Sequence, residues 1–479
     1  MAESTTAPVV EGRESRRRPR SDRATAARDK RKTEALGRRA VSLSRFYGGK
    51  VETVPKVPVR SLNDFALWYT PGVADVSRAI QADPDLSFDL TGRWNTIAIV
   101  TDGSRVLGLG DIGPRAALPV MEGKALLFKW LGGVDAVPLP IVAKTPEAFI
   151  ATVESLAPAF GGINLEDIAS PKCFGILETL QKSLPIPVWH DDQLGTAAST
   201  IAGLLNALEL THRSVGKIRT VLLGAGAANL VTARLLLALG HDPHRLSVVD
   251  QRGVLHAERE DVDELMLRNP WKYRVALQTD GGGRSGDLSH ALEGADVLLA
   301  ASTPDPNTVR PEQIRSMAPD PIVFALANPV PEVWPAVASA AGAAIVATGR
   351  SDFPNQVNNS LIFPAVFRGV LDARAGSIPD EIVLAAAREL AHHARDRGLS
   401  ATHLLPTMEE TEVFPHVAAA VGDAAVRLGI ARRPLSHDEF LEGARSRMGR
   451  SARLVRALSR ARLTPSMPSA KALEPRNER

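Results

Sequence analysis

Two pairs of neighbouring carboxylates carry the most chemistry in this sequence, Glu166–Asp167 and Asp191–Asp192. Each pair follows a short apolar run, Gly-Ile-Asn-Leu before the first and Ile-Pro-Val-Trp-His before the second. Runs of that length read as buried strands. Acids just beyond them stand at the rim of a sheet, where α/β proteins gather their sites. Two converging pairs of hard oxygen donors suit Mg²⁺ or Mn²⁺. Solvated loop acids or helix caps are the competing reading. Tyr69 lies where a short helix, capped by Ser61 and Asp64, runs into Pro71-Gly72, so its phenol is expected to project into a cleft. Lys124 is placed in the first turn of a buried helix, Ala125–Leu131, that opens at Met121-Glu122-Gly123. A cation there opposes the helix dipole and gives up its proton more readily, which suits a lysine base.

A second constellation follows near Ser214, where the apolar run Ile218–Leu223 meets Gly224-Ala225-Gly226-Ala227-Ala228-Asn229. A helix, Leu230–Leu239, and a strand, Leu246–Asp250, come next. Strand, glycine turn, helix, strand and terminal acid are the parts of a dinucleotide-binding unit. Gly224 makes the tight turn, and Gly226 lets the backbone approach a pyrophosphate at the helix N-terminus. Asp250 is placed to bind the adenine ribose hydroxyls. Asn229 stands where a third glycine is usual, which predicts looser helix–strand packing.

The elements that must position these groups alternate as in an α/β protein. Asn95–Val100 and Arg105–Gly110 read as a hairpin about Asp102-Gly103, Val137–Ala143 as a strand and Thr145–Leu156 as a helix. Gly195–Leu210 reads as a largely buried helix. Later apolar runs at Ala295–Ala300, Ile322–Leu326 and Ala344–Ala347 each end in loops that line one sheet edge, the edge holding the cofactor. Asn355, Asn358 and Asn359 follow in a polar loop, where amides can hold a carboxylate or carboxamide, or simply form Asx-turns. The division expected is a basic, disordered tail over 1–40, a substrate and metal domain over 41–212, a Rossmann-type NAD(P)-binding domain over 213–375, a helical segment over 376–448 and a second basic tail over 449–479.

Composition sets outer bounds. The 479 residues suffice for more than one domain with a sizeable core, and 44% hydrophobic content is ordinary for a globular chain. The single cysteine, Cys173, excludes intrachain disulfides and a cysteine-only zinc site. No apolar run reaches membrane-spanning length and no signal-peptide core is visible, so a cytoplasmic protein is expected. The net charge of +3 comes from arginine-rich ends, read here as solvated tails rather than a nucleic-acid surface.

Several of these stretches together resemble the malic enzyme family in its short bacterial form: Tyr69–Ala74, Leu107–Pro114, Pro119–Lys124, Gly161–Ile168, His190–Gln193, Gly224–Ala228, Phe324–Pro329 and Gly349–Asn359, in order over residues 41–430. The resemblance implies oxidative decarboxylation of (S)-malate to pyruvate with NAD or NADP, Mg²⁺ or Mn²⁺, in a homodimer. It places Glu166, Asp167 and Asp192 as metal ligands, Asp191 as an acid adjacent to them, Lys124 as general base and Tyr69 as general acid. Asn328, Asn358 and Asn359 fall near substrate, and Asn328 also near the nicotinamide. Arg105 resembles the arginine that grips the substrate carboxylate in longer relatives. Two departures stand out: Leu194, where the short forms usually carry histidine, and Ser302–Val309, which differs from the usual glycine-containing loop. They leave open a relative acting on another 2-hydroxy acid. A non-catalytic nucleotide-binding protein with basic tails is the reading from a different class.

Overall fold

A computed structural model describes residues 20–106 and 108–469, with side chains from residue 34 onward. Leu107, within the Leu107–Pro114 motif, and residues 1–19 and 470–479 of the tails lie outside the described residues. The chain divides into two compact units, residues 1–50 with 458–479 and residues 51–457. In the first unit, Arg20–Tyr47 is a helix where the composition suggested a disordered tail. Its last residue donates the Tyr47 hydroxyl to the Pro465 carbonyl at 3.2 Å. At the other end, the helix His437–Arg460 runs through the start of the expected second tail.

The second unit holds two sheets. In the first, β1 (Thr96–Thr101), β2 (Asp135–Pro140), β3 (Gly162–Leu165) and β4 (Val188–His190) lie in the order β2-β1-β3-β4, all parallel. In the second, β5 (Thr220–Leu223), β6 (Leu246–Asp250), β7 (Gly253–Val254), β8 (Val297–Ala300), β9 (Ile322–Ala325) and β10 (Ile345–Thr348) lie in the order β10-β9-β8-β5-β6-β7. Only the short edge strand β7 is antiparallel. The chain leaves β5 for β6 on one side and returns to β8 on the other, so the loop after β5 stands at the switch point where α/β sheets bind ligands. Strands such as β3 and β5 are buried throughout, as parallel strands covered on both faces must be. One apolar cluster runs from the first sheet through the helices Thr196–Leu210, Phe363–Asp372, Asp380–Arg395 and Val413–Arg427 to one face of the second sheet. A smaller cluster covers that sheet's other face. The fold is therefore α/β with a Rossmann-type half and C-terminal helices.

Two expectations about local structure fail. Arg105–Gly110 is not the return strand of a hairpin, because β1 is already paired on both sides by β2 and β3 and offers no free edge. The segment instead closes a small turn, Val106 N to Gly110 O at 2.9 Å, and folds over the carboxylates, Arg105 N donating to Asp167 O at 3.0 Å. The helix that bears Lys124 begins at Gly113, with Pro114 in its first turn, and runs to Gly132. Pro119 lies inside it. Lys124 is thus mid-helix, away from the dipole's positive end.

Candidate active site

The carboxylates stand where the strands end. β3 and β4 are neighbours in parallel register, Leu165 opposite His190, so Glu166–Asp167 and Asp191–Asp192 emerge side by side. Glu166, Asp167 and Asp192 each offer an oxygen within 4.8 Å of the others. Asp167 holds φ +55°, a left-handed conformation uncommon for a residue with a side chain, and its backbone N–H donates to Asp192 Oδ2 at 2.9 Å. Asn164, on β3, donates to Glu166 Oε2 at 3.0 Å and fixes that carboxylate's orientation.

Asp191 has a different job. Its Oδ2 lies 2.5 Å from Lys124 Nζ, and its Oδ1 accepts the Trp189 indole N–H at 2.9 Å. Lys124 Nζ also reaches Glu166 Oε1 at 2.9 Å and lies 4.3 Å over the Phe363 ring. The lysine therefore bridges the two acidic pairs. Burial alone would lower its pKa, but Asp191 and then Glu166 outweigh burial and raise it. This reverses the expectation from the helix dipole: these acids hold the lysine's proton tightly. Glu166 is pushed well above the usual carboxylate range, first by burial and then by Asp192, Asp191 and Asp167, with Lys124 opposing. Four carboxylates face one ammonium in a buried setting, and that excess of negative charge is what a divalent cation neutralises. The all-oxygen donors Glu166, Asp167 and Asp192 fit Mg²⁺ or Mn²⁺.

Other sequence candidates fall at varying distance from this centre. Arg105 is exposed, and its side chain has no partner among the described residues. Asn359 packs against the turn after Asp191: a Cβ at Gly195 would meet Asp191 Oδ1 at 2.0 Å and Asn359 Cβ at 3.2 Å. Asn328 lies beside Gly108 and Gly349, since a Cβ at Gly108 would meet its carbonyl at 3.3 Å and one at Gly349 its Nδ2 at 2.7 Å. Asn358 uses its side-chain oxygen to cap the next turn, accepting from Ser360 N at 2.8 Å. Asn355 is spent on the fold: it donates to Val346 O and Ala401 O and accepts from Leu404 N. Tyr69 does not enter the cleft. It follows the one-turn helix Phe65–Trp68, is 68% exposed, and its hydroxyl meets no hydrogen-bond partner among the described residues. Leu194 is buried and, with Phe174, Leu177 and Ile378, lines a cleft that none of the candidate metal ligands lines.

At the nucleotide unit, Gly224 has φ +97°, and a Cβ there would lie 2.5 Å from Ala301 O. Only glycine fits that approach. Gly226 precedes the helix Ala227–Ala238, whose first N–H groups, at Ala227 and Ala228, face the turn that Ala225 completes. Asn229 does not loosen the packing. It is buried and donates to Leu223 O at 2.8 Å and Gly224 O at 2.9 Å, tying the turn to β5. Asp250 ends β6 as expected, but its acceptors are taken. Oδ1 accepts from Arg252 N at 2.8 Å and Arg259 Nη1 at 2.9 Å, and Oδ2 from Arg259 Nη2 at 3.2 Å and Lys272 Nζ at 2.7 Å. Burial would raise its pKa, but these bonds outweigh it and hold the carboxyl below its usual range. The altered loop is pinned by Glu332, which is fully buried and accepts from Ser302 N, Ser302 Oγ and Ala327 N.

Sequence reasoning missed Arg259, Lys272, Asn164, Trp189 and the Asp102–Lys172 pair, 2.5 Å apart, that ties the loop after β1 to the start of the helix Lys172–Ser183 that follows β3. The alternation of Asn164 and Glu166 on one strand face was the one available signal.

Comparison with known proteins identifies the family. Residues 48–146 match the family model described as malic enzyme, N-terminal domain, and residues 194–426 that of malic enzyme, NAD binding domain. An NAD-dependent malic enzyme of Geobacillus stearothermophilus is 47% identical over 81% of this chain and 78% of its own length. An NADP-dependent malic enzyme of Halomonas elongata is 42% identical over 81% of this chain and 92% of its own. The crystal structure of Entamoeba histolytica malic enzyme superposes with a TM-score of 0.88 at 42% identity, covering 91% of each chain. Two matched domains, the first spanning β1 and β2 and the second spanning β5 to β10, together with these relatives make this chain a member of the malic enzyme family.

Proposed function

We propose that the protein oxidatively decarboxylates (S)-malate to pyruvate and CO₂ with reduction of NAD⁺ or NADP⁺, using Mg²⁺ or Mn²⁺. The observation that carries this is the buried Lys124, ion-paired to Asp191 and set against the Glu166–Asp167–Asp192 triad, with Asn359 of the second half packed against the turn after Asp191. The names of the relatives, some NAD-dependent and some NADP-dependent, support the same chemistry.

Glu166, Asp167 and Asp192 would hold the metal, which supplies positive charge that acidifies the substrate's C2 hydroxyl and offsets the acids that hold the lysine's proton. Lys124 takes the proton from that hydroxyl, steered by Asp191, which Trp189 in turn holds. The nicotinamide accepts the hydride from C2. Once C2 is a ketone, the C3–C4 bond breaks with loss of CO₂. Tyr69 protonates C3 to give pyruvate. Arg105 holds a substrate carboxylate through its planar fork. Asn328, Asn358 and Asn359 orient substrate and nicotinamide. Leu194 is buried and lines a cleft that none of the candidate metal ligands lines, which favours malate over the specialised-substrate alternative.

Tyr69 belongs to an apolar surface with Leu62, Phe65, Leu67 and Trp68, all exposed. A patch of that kind marks an interface. We take its partner to be a second copy in a homodimer, in which Tyr69 reaches the other copy's Lys124 centre. Asp250, neutralised by Arg259 and Lys272, no longer repels a 2′-phosphate, so NADP⁺ is accepted alongside NAD⁺. The test is steady-state turnover on a panel of 2-hydroxy acids with Mn²⁺ and each cofactor. Malate should exceed all others, and a preference for another acid overturns the assignment.

A further inference from the structure

A second charged pocket lies away from the carboxylates, around Trp94. Lys56, Lys129, Arg447 and Arg450 line it, with Asp135 as its one acid. Lys56 Nζ lies 4.9 Å from the Trp94 ring centre, and the Arg447 and buried Arg368 guanidinium carbons lie 5.5 Å and 5.7 Å from it. The carboxylates here are already committed. Asp135 pairs with Lys129 at 2.5 Å and accepts from Asn95 at 2.8 Å. Asp372 is shared between Arg368 at 2.6 Å and Arg447 at 3.2 Å. Five cations thus meet two acids, and Lys56 and Arg450 have no polar partner among the described residues. Cations crowded without counter-charge around a concave, partly apolar surface attract a compact anion of high charge.

We propose that this pocket is a binding site for a small phosphate-bearing anion, held by Lys56, Arg447 and Arg450 over Trp94. A monocarboxylate would leave most of the excess charge unmatched, whereas a phosphate offers several acceptor oxygens to guanidinium forks. The pocket is separate from the nucleotide unit. It lies at the far ends of the two helices that hold the lysine centre: Lys129 follows Lys124 on Gly113–Gly132, and Arg368 and Asp372 follow Phe363 on Phe363–Asp372. Phe128 packs between them, 4.6 Å from Phe363 and 5.3 Å from Phe367.

The experiment titrates inorganic pyrophosphate into the full-length protein by calorimetry. No divalent metal is present, NADP⁺ is saturating so that the glycine turn is occupied, and KCl holds ionic strength constant. We expect saturable binding of one equivalent per chain. Arg450→Glu combined with Lys56→Glu should weaken it by about tenfold or more, and Arg450→Gln by less. Arg453→Glu, on the same helix but outside the pocket, should leave it unchanged, and malate turnover without pyrophosphate should be normal in all these variants. Absence of saturable binding, equal binding in the double variant, or equal loss in Arg453→Glu overturns the proposal.

Discussion

Asp191→Asn separates the lysine's partner from the proposed metal ligands while keeping the side chain's shape. The wild-type carboxylate takes Lys124 Nζ at 2.5 Å on one oxygen and the Trp189 N–H at 2.9 Å on the other. An asparagine can keep the Trp189 bond but not the charge that faces Lys124. Losing one hydrogen bond to a charged group costs about 1.5–3 kcal/mol. The loss stays in that range because Glu166, 2.9 Å away, remains to pair the buried ammonium. In a chain of this size that is a fall in melting temperature of about a few degrees, so the fold survives. Turnover should suffer far more, since a lysine drawn toward Glu166 is misplaced on the ångström scale, which costs on the order of 10²-fold. Asp191 is the largest contribution raising the lysine's pKa, so its removal lowers that pKa. A base acts when deprotonated, so the acidic limb of the pH–rate profile should move to lower pH. Mn²⁺ titration should be nearly unchanged, because Glu166, Asp167 and Asp192 are intact. If Asp191→Asn abolishes Mn²⁺ binding while the pH profile stays put, the division of roles is wrong.

Three further outcomes follow from the same geometry. Asp192→Asn should weaken Mn²⁺ binding by about tenfold or more, read by electron paramagnetic resonance, with Asp191→Asn as comparison; equal affinities would remove Asp192 from the ligand set. Tyr69→Phe and Lys124→Ala should each be nearly inactive alone, but mixed and reassembled they should regain about a quarter of wild-type activity if Tyr69 acts in the other copy's site; no recovery from a confirmed mixed dimer refutes that arrangement. Lys272→Ala should lower kcat/KM with NADP⁺ by about tenfold more than with NAD⁺, since it removes a cation facing the 2′-phosphate; equal effects on both cofactors would show that Lys272 serves only to hold Asp250.

Much of the site was legible because its residues follow strands whose apolar runs are unmistakable. Gly-Ile-Asn-Leu and Val-Trp-His are β3 and β4, and parallel pairing alone brings their terminal acids together. Gly224 and Asp250 were legible for the same reason, each marking the end of a buried strand. The illegible parts depended on tertiary neighbours. Nothing near Lys124 in sequence announces Asp191, which lies 67 residues away, so the helix dipole was the only local cue and it gave the wrong sign. The hairpin at Arg105–Gly110 was a sound local reading overridden by strand order. Asn229 looked like a lost glycine because its bonds to Leu223 and Gly224 exist only once the turn has formed. Tyr69 was rightly placed at a helix end, but its exposure depends on what the one-turn helix packs against.

The central claim is that one site both oxidises C2 and releases C4. The most direct measurement supplies (S)-malate labelled with ¹³C at C4, with Mn²⁺ and NADP⁺, and follows products by NMR. Labelled CO₂, unlabelled pyruvate and reduced cofactor are expected in equal amounts, all abolished in Lys124→Ala. Labelled oxaloacetate accumulating with reduced cofactor, or lactate formed without net cofactor reduction, would contradict it.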